Sequence, residues 1–434
     1  MTLRLALLIA GVVLAVTPVF AVPPCGDWLL VSTPNVGNSV TRLTAVTALS
    51  SEDAWAVGYW RSEPAGAGTL ILRWDGTGWT SVDAPETGEL GTEPSLTGID
   101  AAPNGDVWIV GGVRTGYPTD ELPLAMRWRD GSWGSVETVT LRPQTEYPFA
   151  ARGGSLDEVD ALAPSDIWAV GLSAGMGDGS ATVLPLAVHW DGSEWTETDV
   201  PPIANRWHHL LGVAAIAPDD VWAVGEYRNI AQLYHGVTYH WDGTTWSHVW
   251  SPVEGMSSGT LSDVTALGPD DVWAAGVGES GPVMMHWDGT EWSLVPAPLN
   301  MAGELAVVAP DDIWAPGWNG FHHWDGTEWT EVPAPIPGAS FVIRGGGTAI
   351  VDDCDVWSVG FWTLADGITS FTLAERLRSG QTFTPNAPGD APAAIATIAA
   401  APNPFNPEVE LMFDLPRTTG AEVCIYNLNG ERVR

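Results

Sequence analysis

Seven aspartates and seven basic or imidazole side chains recur at matched places along this chain of 434 residues. The aspartates are Asp53, Asp106, Asp166, Asp220, Asp271, Asp312 and Asp355, each two residues before a tryptophan. Carboxylates suit calcium, but a calcium site needs about six to eight oxygens converging on one point. One carboxylate per repeat is spread too widely for that. Aspartates in tight turns, bonding backbone amides, account for them instead. Asp352, Asp353 and Asp355 form the densest group and are the weak calcium candidates; no other metal or cofactor is expected. The second series is Arg73, Arg127, His189, His240, His286, His323 and Arg376. Four imidazoles would suit zinc if they met, but they fall in different repeats and are expected as inter-repeat or surface groups. Gly276–Gly281 matches G-x-G-x-x-G, yet a strand-like run follows where a dinucleotide site needs a helix. No sequence pattern marks a catalytic residue.

The elements that carry these residues come from a repeat. Asp-x-Trp-Ala-Val-Gly, as in Asp53–Gly58, is followed by Trp-Asp-Gly-x-x-Trp, as in Trp74–Trp79. The first motif occurs seven times, at Trp55, Trp108, Trp168, Trp222, Trp273, Trp314 and Trp357. The second follows each copy, with Leu377 and Phe383 in the tryptophan places of the last. A fixed period of this size signals an array of one supersecondary unit. The fourth copy reads as strands over 211–217, 221–225, 236–241 and 245–249, with Pro-Asp-Asp and Asp-Gly turns between the outer pairs. Four short strands per repeat predict an all-β chain: a seven-bladed β-propeller of four-stranded blades. The small residues of each first strand suit the crowded axis, and the tryptophans are expected as packing between blades. Asp27–Pro34 resembles a fourth strand and is expected to close the last blade in preference to Gln381–Pro385. That closure would place Cys25 beside Cys354, so a disulfide between them is expected.

The two loop sets differ. The Pro-Asp-Asp and Asp-Gly turns share one face and hardly vary. The second-to-third and fourth-to-first connections share the other face, are long, and differ in every copy. Function on a rigid scaffold concentrates in such loops. The candidate ligand-binding residues there are Trp60, Arg61, Arg114, Tyr117, Arg152, Arg206, Trp207, His208, Tyr227, Arg228 and Tyr234. Aromatics with arginines on one face suit a glycan or an extracellular protein. The leading reading is therefore a non-enzymatic binding module. A glycoside hydrolase or lyase would need paired carboxylates at the channel mouth, for which Glu121, Asp157, Glu158 and Glu226 are the candidates. A structural envelope or matrix component is the third reading.

Acidic residues number 53 and basic ones 17, all arginine, for a net charge of -36. Such a chain repels phosphate backbones, which excludes nucleic acid as an expected partner. Residues 1–21 have the Arg4 n-region, the apolar run and the Val-Phe-Ala end of a secretory signal, and no later segment is long and apolar enough to span a membrane. The protein is expected outside the cell or on its outer surface.

The paired motifs resemble a family of secreted bacterial tryptophan-rich repeat proteins of unknown role over about residues 27–386. A looser form of the Trp-Asp-Gly-x-x-Trp hairpin is similar to that of tectonin-type lectin propellers. The opening Asn403-Pro404-Phe405-Asn406-Pro407 and the later Ile425-Tyr426-Asn427 resemble the start of the Ig-like sorting domain of type IX secretion cargo, related to the flagellar hook-capping protein. The family domain is about twice as long as the stretch present here, so a partial β-sandwich is expected. The resemblance implies the type IX machinery as a partner. The expected organisation is thus signal peptide 1–21, propeller 22–386, Ala/Pro-rich linker 387–400 and truncated sorting domain 401–434.

Overall fold

The computed structural model describes residues 25–378 except 37–38, 63–65, 86–91, 115–120, 135, 140, 142–152, 178–179, 204–206, 302, 336–340 and 365, together with 399–406 and 408–412. The signal segment, Gln381–Pro385, most of the linker and residues 413–434, with Cys424, lie outside the described residues.

The repeat builds four antiparallel strands, the outer one split into Ser132–Trp133 and Glu137–Thr138 in the second copy. In the fourth copy these are His208–Ala217, Asp220–Arg228, Tyr234–Trp241 and Trp246–Val249, in that order across the sheet. The first three extend beyond the sequence-based bounds toward the long loops, where polar residues continue the ladder. The second-motif tryptophans pair directly, as Trp241 does with Trp246. Within that loop Asp242 Oδ1 accepts the backbone N–H groups of Thr244 and Thr245, and Gly243 takes φ +89°. That conformation is open to glycine and explains the invariant Asp-Gly.

The first strands are Val40–Ser50, Thr92–Ala101, Gly153–Ala163, His208–Ala217, Gly259–Gly268, Ala306–Ala309 and Phe341–Asp352. Each packs on the next, and the last packs on the first. The chain is a β-propeller, with the four-stranded groups as its blades. The last blade takes its outer strand from the start of the chain: Trp28–Val31 pairs with Ser370–Arg378, Trp28 opposite Leu377. Cys25 and Cys354 are disulfide-bonded beside this strand, across 329 residues of sequence. Two short strands, Ala399–Asn406 and Glu408–Met412, form a hairpin; among the described residues there is no further strand of a sandwich.

The core lies between blades. Trp168 of the third blade packs on Trp241 and Trp246 of the fourth, with centroids 5.2 and 5.6 Å apart. Trp222 meets Trp287 and Trp292 of the fifth in the same way. Trp357 meets Trp74 and Trp79 of the first, and Trp28 completes the last junction by packing on Trp314 and Phe321. Large rings fill the wedge that opens between radiating sheets.

The glycine of the first motif has a steric cause. A Cβ on Gly225 would sit 2.0 Å from the His209 carbonyl oxygen, and one on Gly58 2.0 Å from that of Arg42. In these blades the first strand bulges one residue further on, as between Leu210 and Gly212, and the backbone presses into the space a side chain would fill.

The motif aspartates do not act as simple turn caps. Each binds the matched cation or imidazole on the third strand of its own blade. Asp53 takes Arg73, Asp106 takes Arg127, and Asp355 takes Arg376. Asp166, Asp220, Asp271 and Asp312 lie 2.7–2.9 Å from His189, His240, His286 and His323. These side chains also rest on the motif tryptophans, as His240 does on Trp222 at 4.7 Å. The two series are partners within a blade; several of these cations and imidazoles are also partly exposed, and Arg376 donates across a junction to the Ser51 carbonyl of the first blade.

Candidate binding face

The short turns share one face with Cys25 and Arg378, the two ends of the described propeller. Cys25 lies beside the Asp353–Cys354 turn, and the last propeller strand runs out at Arg378, opposite Asp355.

Sequence-predicted residues gather on the long-loop face in the fourth blade. The Arg228 guanidinium lies over Trp207 at 5.0 Å and over Tyr234 at 4.4 Å, and it donates to the Tyr234 hydroxyl. Tyr227 stacks on His235 at 5.4 Å, and Asn229 donates to the other edge of that imidazole at 2.7 Å. Trp207 also bridges to Val183 of the third blade, so the cluster sits across a blade junction. Buried Arg228 Nε and His235 Nδ1 have no hydrogen-bond partner among the described residues. Trp60, Arg61 and Arg114 lie at the same end of the first and second blades but are not part of this cluster. Tyr117, Arg152 and Arg206 lie outside the described residues.

His208 is corrected. It is fully buried beneath the cluster, against Tyr239 at 5.5 Å, and burial pushes its imidazole down to about 3. It is a neutral core residue with no face to offer a ligand. Two of the three weak calcium candidates have their carboxylates engaged within the protein. Asp355 is 3% exposed and its carboxylate is taken by Arg376, while Asp352 Oδ1 accepts the Cys354 N–H. Among the described residues no three His, Cys, Asp or Glu side chains could hold one metal ion.

Around the cluster the same face is unusually apolar. Ile230 is fully exposed, and Ile203, Leu233 and Trp250 accompany it on the fourth blade. Val277, Leu299, Trp318, Phe341 and Ile368 continue across the later blades, with Leu299 91% and Trp318 62% exposed. The other exposed large hydrophobics among the described residues, Leu267, Leu294 and Ile350, lie on outer strands or at the turn side. Hydrophobics scattered singly are ordinary on a protein surface, but most of these fall on one face.

The mouth-forming carboxylates separate into two groups. Asp157, at the bulge of its strand, lies 2.8 Å from His209, which faces Glu226 across the ladder. Burial pushes Glu121 up; Arg114 pulls it down and Asp157 adds to the rise. Burial also raises Glu226, against His209 and Arg228. Glu158 turns instead into a cavity of ≈ 280 Å³ on the axis, with Asp100, Asp160, Asp263 and Glu304. Sequence reasoning missed the last four. Their signal was an offset: Asp100 and Asp160 stand six residues before a motif aspartate, and Glu158, Asp263 and Glu304 eight before one.

No protein family profile matches the chain, and no curated protein matches it in sequence. Its likeness is to solved propeller structures. YCF48 bound to D1 peptide is 15% identical, covering 84% of this chain and all of that one, with a TM-score of 0.50. The RRP9 WD40 repeats are 9% identical over 83% of this chain and all of that one, TM-score 0.51. A Penicillium chrysogenum α-L-arabinanase with arabinobiose is 12% identical over 82% of this chain and 99% of that one, TM-score 0.44. The first two likenesses share the fold described above, a β-propeller.

Proposed function

We propose that this is an exported, non-enzymatic binding propeller that docks an extracellular protein through its long-loop face. The observation that carries the reading is the one-sided set of exposed apolar side chains around the Trp207–Arg228–Tyr234 cluster. Aromatic and arginine anchors ringed by apolar contacts are the make-up of interface hot spots. A disulfide joining the ring suits an oxidising compartment. YCF48, a propeller of comparable extent, carries a bound peptide.

A photo-crosslinking residue at Ile230 or Trp318, and as control at Leu294, tests this on intact cells. One protein adduct from the first two positions and none from the third supports the reading. Equal labelling at all three overturns it. Binding to a glycan array, lost in Trp207→Ala and Arg228→Ala, would instead assign the face to a glycan.

The Glu121–Asp157–His209–Glu226 run favours a second reading, a glycoside hydrolase or lyase at the mouth. Turnover of a polysaccharide panel that Asp157→Asn abolishes would establish it.

A further inference from the structure

The inner strand of every blade has a neighbour on one side only. Its axial edge leaves backbone N–H groups that need acceptors. Carboxylates from the preceding blade supply them. Asp100 accepts the Ala161 N–H at 2.8 Å and the Thr47 hydroxyl at 3.0 Å, so it touches three blades. Asp160 accepts the Ala215 N–H at 3.0 Å, Asp263 that of Leu305 at 2.7 Å, and Glu304 that of Thr348 at 3.2 Å. Each of these bonds crosses a blade junction. Glu158 differs: its bond goes to the N–H of its own neighbour, Val159.

All five carboxylates line one axial cavity, and no lysine, arginine or histidine lines it with them. The inner strands do carry cations, but each is engaged elsewhere. Arg42 lies over Phe361 and donates to Ser370. Arg344 is fully buried and bound to Glu375 at 2.7 Å. His209 is bound to Asp157, and His208 is neutral. The remaining lining segments, Ala45–Ala48, Val213 and Thr348–Ile350, bring no charge. Asp166, beyond the cavity, adds only negative potential to Asp160.

We propose that Asp100, Glu158, Asp160, Asp263 and Glu304 form a proton-loaded clasp that ties the blades together along the axis, so that the ring is most stable in acid and loosens as the protons leave. Five like charges in so small a space repel, and a protonated carboxyl relieves this while still accepting an N–H and gaining a donor of its own. Loss of solvent pushes Asp160 and Glu304 up to about 8 and Asp263 to about 6, with neighbouring carboxylates adding to the first two. The same cause raises Glu158 well above the usual range, with Glu304 adding, and raises Asp100. The sign follows. The folded protein holds protons that the unfolded chain releases near pH 4, so stability is full below that and falls as pH rises through about 6 to 8.

The test is thermal unfolding of the full chain between about pH 5 and pH 9, for the wild type and Glu158→Gln. The glutamine keeps the shape, removes one charge and breaks no inter-blade bond. The expected result is a wild-type Tm that falls steadily with pH and a variant that falls less, melting higher than wild type at the alkaline end. A flat wild-type profile, or a variant with an unchanged slope, would overturn the proposal. So would a rise in Tm with added calcium at alkaline pH that Glu158→Gln removes, because the charge would then be held by a metal. Should the variant fail to fold, the infrared carbonyl band of neutral carboxylic acids in the wild type decides. Its presence at neutral pH and loss in alkali support the clasp, and its absence at neutral pH refutes it.

Discussion

His240 Nε2 lies 2.8 Å from Asp220 Oδ1 on the neighbouring strand, while its ring rests on Trp222. The motif aspartate, the residue before the second-motif tryptophan and the first-motif tryptophan are thus one packed unit. It recurs in each blade with either histidine or arginine in the middle. Exposure then decides how much each pair contributes.

Asp355 and Arg376 are both 4% exposed at their side chains, so breaking this pair leaves a buried guanidinium without its partner. Asp355→Ala is expected to cost about 3–5 kcal/mol. The pair Asp53–Arg73 is 29% and 40% exposed, and Asp53→Ala is expected to cost about 1 kcal/mol or less. Urea unfolding of both variants checks the contrast, and equal losses would contradict it.

Gly225→Ala places a methyl group where the His209 carbonyl oxygen already lies within 2.0 Å. Relief requires the bulge in the inner strand to move, so a loss of about 1–3 kcal/mol or more is expected. The same change at Gly78, which has nothing within 4 Å of a Cβ, is the control. A Gly225→Ala protein as stable as that control would show that the bulge is not fixed.

Reduction of Cys25–Cys354 frees the strand that carries Trp28, which is 1% exposed against Trp314 and Phe321. Loss of the cross-link is expected to cost about 2–4 kcal/mol. Cys25→Ser with calorimetry measures it, and intact mass with and without reductant, differing by about 2 Da, confirms the bond. An unchanged melting profile would mean that the strand is held by packing alone.

Much of this was legible from residue order. The tryptophan pairs announced the blades, Asp-Gly announced the loops, and the one-sided variation in loop length pointed to the face that proves apolar. Other features were opaque. Trp207 and Tyr234 are far from Val183 in sequence or separated by a hairpin, and nothing local says that Arg228 lies between the two rings. His208 reads like its exposed neighbours, yet its strand turns it inward under Tyr227. The axial carboxylates occur in some blades and not others, so a repeat pattern averages them away.

The sequence by itself determined the repeating unit: strand order, turns, the glycine that admits the bulge and the rings that fill the wedges. These depend on contacts within one period or between identical periods, which composition and spacing record directly. Only the tertiary structure decided what meets across the ring. It brings Cys25 to Cys354, Trp28 to Leu377, and carboxylates from different blades into one cavity. The reason is physical. Ring closure fixes the distances between blades, and the electrostatics of the axial cavity depend on those distances, which are not a property of neighbouring residues in the chain.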